Sequence, residues 1–192
     1  MHNDRPLCVV PATARVAPNA IMRGRGRVLL GEYVSIEDHV LMDTGQALDS
    51  TIEIGARSKV KYGAVLRTYD GAIRIGRRTS IGEYTVIAGH GGVEIGEAVI
   101  IAAHCSLSAS EHIFSGDGAV RFQGETATGI RVCDGAWVGA GCAILDGVRI
   151  EEYAVIGAGS VVTRSLPADA ICVGAPCRVV RSSRRDKFDH NW

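Results

Sequence analysis

The feature that most constrains this chain is a repeat of six. Stepping by six from Val132 reaches Val138, Ile144, Ile150, Ile156 and Val162, all aliphatic. Ile75, Ile81 and Ile87 form a second series, and Ile95, Ile101, Leu107 and Ile113 a third. A fourth runs Leu30, Ile36, Met42, Leu48, Ile54, Val60 and Leu66, with Leu48 set in the polar stretch DTGQALDST. The residue two places before each stop is usually small or branched, as at Ile52, Ile73, Thr79, Val99, Cys105, Ala136, Cys142 and Ser160. Six residues carry an α-helix through about 1.7 turns, so this spacing does not line one helical face. A short strand followed by a bend does present two inward side chains per six residues. Three such strands close a triangular coil, and stacked coils make a solenoid.

Composition agrees with strands rather than helices. Val and Ile number 38 against 9 Leu, and β-branched side chains favour the pleated strand. Gly contributes 24 residues, which supply corners that other residues turn with difficulty. The expected fold is all-β, with repeats from residue 28 to 177, a lead-in and first coil over 1–27, and a basic tail over 178–192.

Breaks in the register locate a site. The step from Leu66 to Ile75 is nine and that from Ile87 to Ile95 is eight, and the pattern vanishes after Ile113 until Val132. Counted in threes from Val162, the stops Leu66, Ile87 and Leu107 fall on one face, so the extra residues gather at one corner. The insertions are TYDG, GHGG and an external loop over about 113–130. Neighbouring coils stack about 4.8 Å apart, which predicts a column of Asp70, His90 and His112. Tyr69, Asp70 and His90 are expected to form a polar wall along that corner.

The 21 Lys+Arg balance 21 Asp+Glu, which argues against a nucleic-acid footprint or a polybasic membrane anchor. The longest aliphatic stretch, Ala98 to Ala103, is far short of the roughly 20 residues a bilayer needs, and MHNDRPLCVV does not read as a signal peptide. Six cysteines without CxxC spacing read as reduced thiols. A cytoplasmic location is expected.

Four ordered motifs carry a family resemblance: GHGGVEIGEAVIIA followed by SASEHIF, then GAWVGAGCAILDGVRI, AVIGAGSVVTRSLP and VGAPCRVVR. They resemble the hexapeptide-repeat acyltransferases, most closely the sugar and polysaccharide O-acetyltransferases of the galactoside and maltose type. The resemblance implies a left-handed parallel β-helix, acetyl-CoA as donor substrate, a sugar-type acceptor, no metal, and a homotrimer whose active sites are shared between neighbours. His112 matches the family's catalytic histidine. Imidazole suits a base that takes a hydroxyl proton near neutral pH. The resemblance assigns the oxyanion-binding amide to Ala140, after Trp137. It assigns donor contacts to Trp137, Ala158, Thr163, Arg164, Arg178 and Arg181; the Arg forks suit phosphates. Glu111 could orient the His112 ring, but reads chiefly as the start of the external loop.

An N-acyltransferase acting on an amino sugar would use the same base. VLRTYDGAIRIG is similar to γ-class carbonic anhydrases, but the next coil, GEAVIIAA, lacks the histidine pair that their zinc needs. A serine acetyltransferase would carry a helical domain ahead of the repeats. A non-catalytic solenoid would have no use for the His112 motif.

Overall fold

A computed structural model describes residues 5–182. Three parallel sheets wrap one core in a β-solenoid of about seven turns. The first face has seven strands, the second nine and the third seven. The first turn already begins at Leu7–Val9, Arg15–Val16 and Ile21–Arg23. The only helical element among the described residues is a single 3-10 turn, Val120–Phe122.

The repeat of six is the geometry of two corners. Inward residues follow one another by six from first face to second and from second to third: Leu30–Ile36–Met42, Ile54–Val60–Leu66, Ile75–Ile81–Ile87, and so on to Ile150–Ile156–Val162. Each is matched by its equivalent one turn away, and each of these twelve is at most 6% exposed. Burying such a side chain is worth about 1.5–3 kcal/mol. The return from third face to first obeys no such rule. It takes eight residues from Met22 to Leu30, twelve from Met42 to Ile54, nine from Leu66 to Ile75, eight from Ile87 to Ile95 and twenty-five from Leu107 to Val132. The insertions therefore do share one corner, termed here the third.

Two positions of the repeat need correcting. Leu48 is 68% exposed and Ile113 39%. Both lie in third-corner insertions, where a step of six lands by coincidence; the twelve residues from Met42 to Ile54 happen to be two sixes. The tail also begins as structure, since Arg178–Ser182 pairs antiparallel with Ala170–Val173. Residues 183–192, including Arg184, Arg185 and Lys187, lie outside the described residues.

Small polar side chains inside the corners stitch turn to turn. Ser58 Oγ donates to the Gly76 carbonyl (2.7 Å) and accepts from the Thr79 amide (3.0 Å). Thr79 repeats this with Gly96 and Val99. All six cysteines are unpaired. Burial pushes the Cys172 thiol up to about 11 and raises those of Cys133 and Cys177.

Candidate functional site

The third corner concentrates the unusual chemistry. Its backbone is stacked so closely that glycine is required: a Cβ on Gly71 would lie 2.0 Å from the Gly89 carbonyl oxygen. Between the glycines sit polar side chains on successive turns. Asp43 accepts from Arg23 Nε at 3.0 Å and from the Gly45 amide at 3.0 Å, with Arg67 Nε 3.2 Å away. Burial opposes its charge, but the Gly45 N–H and the two guanidinium groups outweigh that and hold the carboxyl below its usual range. The Arg67 guanidinium lies 5.5 Å over the Tyr69 ring, and Tyr69 stacks on His90 with centroids 3.8 Å apart and 16° between planes. His90 Nδ1 is buried and has no hydrogen-bond partner among the described residues. The neighbour of His90 in this column is thus Tyr69, while Asp70 points to solvent.

His112 stands off the column. The Gly91 amide donates to the Ala109 carbonyl (2.9 Å), which seats the root of the external loop on the turn that carries His90. From there the chain leaves the solenoid as Glu111–His112 and returns as Glu125–Thr126, and the two segments pair antiparallel. Among the described residues, all other strand pairings up to the C-terminal strand are parallel. Gln123 braces the loop tip by accepting from the Gly116 amide (2.8 Å) and donating to the Gly116 and Gly118 carbonyls. The register puts His112 opposite Glu125 and Glu111 opposite Thr126. Directly opposed residues share a face, so Glu125 and His112 lie on the same face of the hairpin. Glu111 begins the outgoing segment of the loop, the chief reading the sequence offers for it.

The remaining residues lie elsewhere. Trp137, on the second face between Ile100 and Val155, is 51% exposed. Ala140 and Ala158 follow at the second corner on successive turns, and the Gly159 amide donates to the Ala140 carbonyl at 2.8 Å. Thr163 and Arg164 follow the last strand of the third face, Val161–Val162. Arg178 and Arg181 lie on the terminal antiparallel strand and are exposed. One chain therefore gathers Tyr69, Asp70, His90 and the loop bearing His112 at the third corner, and Trp137, Ala140 and Ala158 around the second.

Among the described residues, Cys133, Glu151 and Glu152 form the one group close enough to meet around an ion. Arg149 already engages Glu151 at 2.5 Å, and burial, with the Glu151 carboxylate beside it, raises the pKa of the Cys133 thiol. No described helix is long and apolar enough to cross a membrane.

Comparison with known proteins agrees with this architecture. Residues 129–164 match the bacterial transferase hexapeptide (six repeats). A probable acetyltransferase of Mycobacterium tuberculosis is 29% identical over 82% of this chain and 51% of its own length. The galactoside O-acetyltransferase of Escherichia coli is 35% identical over 62% of this chain and 59% of its own length. The chain thus spans only about half to three-fifths of these curated relatives. Among solved structures, a hexapeptide-repeat acetyltransferase of Vibrio cholerae superposes with a TM-score of 0.59, at 29% identity over 69% of this chain and 74% of that one. The same Vibrio protein has been solved with acetyl coenzyme A. With its solenoid built on the six-residue repeat and acetyltransferases among its relatives, the chain resembles the hexapeptide-repeat superfamily.

Proposed function

We propose that this protein is an acetyl-CoA-dependent O-acetyltransferase acting on a hydroxyl of a sugar or a polysaccharide precursor. The observation that carries the reading is His112, borne on a paired, projecting loop at the corner where the polar insertions collect. The acceptor oxygen attacks the thioester carbonyl carbon while the His112 imidazole takes its proton. The carbonyl electron pair moves onto oxygen, where the Ala140 N–H stabilises the oxyanion; a donor of that kind is worth about 3–4 kcal/mol. Collapse breaks the C–S bond, and the sulfur leaves as the free thiol with the proton returned by His112. Tyr69, Asp70 and His90 form the acceptor wall, where the exposed Asp70 carboxylate supports a role in gripping a hydroxyl. Trp137, Ala158, Thr163, Arg164, Arg178 and Arg181 hold the donor.

This assignment requires more than one chain. His112 projects from the third corner and Ala140 lies at the second, and at about 3.3 Å per strand residue these corners are on the order of 15 Å apart. A general base works within about 3 Å of its proton. A homotrimer that sets the third corner of one copy against the second corner of the next completes the site.

The test is thiol release from acetyl-CoA in the presence of a panel of galactosides and amino sugars, with His112→Ala alongside. Turnover on a hydroxyl acceptor that disappears in the variant supports the reading. Turnover confined to amines would replace it with N-acylation, and donor binding without transfer to any acceptor would leave a binding module.

A further inference from the structure

We infer that Asp146 is a positioning residue for His112, acting through the return strand of the external loop. The inference rests on the reading of His112 as the base. Asp146 lies at the third corner one turn beyond the loop, just after the strand Ala143–Ile144. Its carboxylate points back at the loop's end. Both oxygens accept from the Thr128 amide, at 3.0 and 2.9 Å, and Oδ1 also accepts from the Gly129 amide at 2.8 Å. The Thr126 hydroxyl lies 3.3 Å from Asp146 Oδ2 and 3.3 Å from the Glu111 carbonyl oxygen, bridging clamp and outgoing strand.

The physical consequence is local and directional. Two consecutive N–H groups at the loop's exit form a small anion-binding nest, and Asp146 fills it from the rigid solenoid. Burial disfavours its charge, yet the Thr128 and Gly129 N–H groups hold the carboxyl below its usual range. Gly129, at φ +102, lets the chain turn down into the next strand; a Cβ there would lie 2.7 Å from the Gly91 oxygen. Residues 125–126 are thereby fixed, and through their pairing so are Glu111 and His112. Without the clamp, the return end would be held to the solenoid only from Gly129 onward, where the Gly147 amide donates to the Gly129 carbonyl at 2.9 Å and the Ile130 amide to the Gly92 carbonyl at 3.0 Å, and residues 125–128 would be free to shift. A displacement of about 1 Å at a reacting group can cost 10²-fold in rate.

The same molecule supplies a matched control. Asp134, at the first corner, accepts the Glu97 amide of the neighbouring turn through Oδ1 at 2.8 Å. It caps a corner as Asp146 does but touches no loop. Asp146→Ala should lower kcat by roughly 10- to 100-fold and leave the dissociation constant for acetyl-CoA within threefold. Asp146→Asn, whose amide oxygen still accepts, should recover most of that loss. Asp134→Ala should be as folded as Asp146→Ala and turn over like the parent. Amide exchange at Ile113, which donates to the Gly124 carbonyl at 3.1 Å, should rise in Asp146→Ala and not in Asp134→Ala. In a double-mutant cycle, adding Asp146→Ala to His112→Ala should cost nothing further.

Equal rate losses in Asp134→Ala and Asp146→Ala would overturn the proposal, as would losses that multiply in the double mutant or unchanged exchange at Ile113. A fully active Asp146→Ala beside an inactive His112→Ala would overturn this assignment alone. A fully active His112→Ala would overturn the base reading and this assignment with it.

Discussion

The first and second corners of the solenoid and the third are made by the same chain under different constraints. At the first two, each turn passes in six residues, and seven consecutive turns agree on where the inward side chain falls. At the third, the passage takes from four to twenty-five residues. A residue added at a regular corner would slip the following strand and turn its inward side chains outward, because the side-chain period in a strand is two. A residue added at the third corner is absorbed by a loop before the next strand begins. The third corner is therefore free to vary without loss of the core, and it holds the Arg23–Asp43–Arg67 ion pairs, the Tyr69–His90 stack and the His112 loop.

The comparison is broken most severely at His112. His112→Ala should lower kcat by about 10²–10⁴, the usual contribution of a general base, with the affinity for coenzyme A unchanged within a few-fold. Steady-state kinetics beside calorimetric binding of the donor separates the two quantities, and comparable turnover in variant and parent would remove the histidine from the chemistry.

Next in size is the contrast between two aliphatic residues of one apparent series. Ile54→Ala should cost about 2–5 kcal/mol in urea unfolding, because its side chain fills the core at 1% exposure. Leu48→Ala, in the third-corner insertion, should stay within about 0.5 kcal/mol of the parent. Similar costs at both positions would mean that the corner is as constrained as the faces.

A smaller effect is expected at Arg164, Arg178 and Arg181. Single Ala substitutions should raise the KM for acetyl-CoA by about tenfold and flatten its salt dependence, with little change at saturating donor, since such contacts form equally in ground and transition states. Asp70→Ala and His90→Ala should instead weaken use of the acceptor by several-fold while donor KM holds, because a pocket built to bond a hydroxyl discriminates through it. A loss confined to the donor in these two would dissolve the acceptor wall.

Acid should loosen the same corner first. Asp43 and Asp146 both have carboxyls held below their ordinary value of 3.8. Their folded-state contribution is present above that value and is lost as pH falls through the lowered one. Exchange at Ile113 should therefore rise below about pH 4 before the faces open. The smallest expected effect is that of a chelator, which should leave turnover unchanged; a stoichiometric ion lost together with activity would point to the Cys133, Glu151 and Glu152 group.

Much of this molecule was readable from its residues, for a definite reason. Each regular step repeats the same packing requirement, an aliphatic side chain every six residues, so local pattern and global fold coincide. Val132 to Val162 could be placed without coordinates, and so could the corner that collects the insertions. Leu48 and Ile113 mark where that logic stops, since a period extended through a loop still finds aliphatic residues but no core for them to enter. The pairing of His112 with Glu125, the stacking of Tyr69 on His90 and the reach of Asp146 to Thr128 and Gly129 depend on contacts between residues 13, 21 and 17 to 18 places apart. Separations of 13, 21 and 17 are not multiples of six, and the period alone does not say which side chains meet. They follow from how a loop of irregular length folds back onto the turns beside it, which only the assembled solenoid decides.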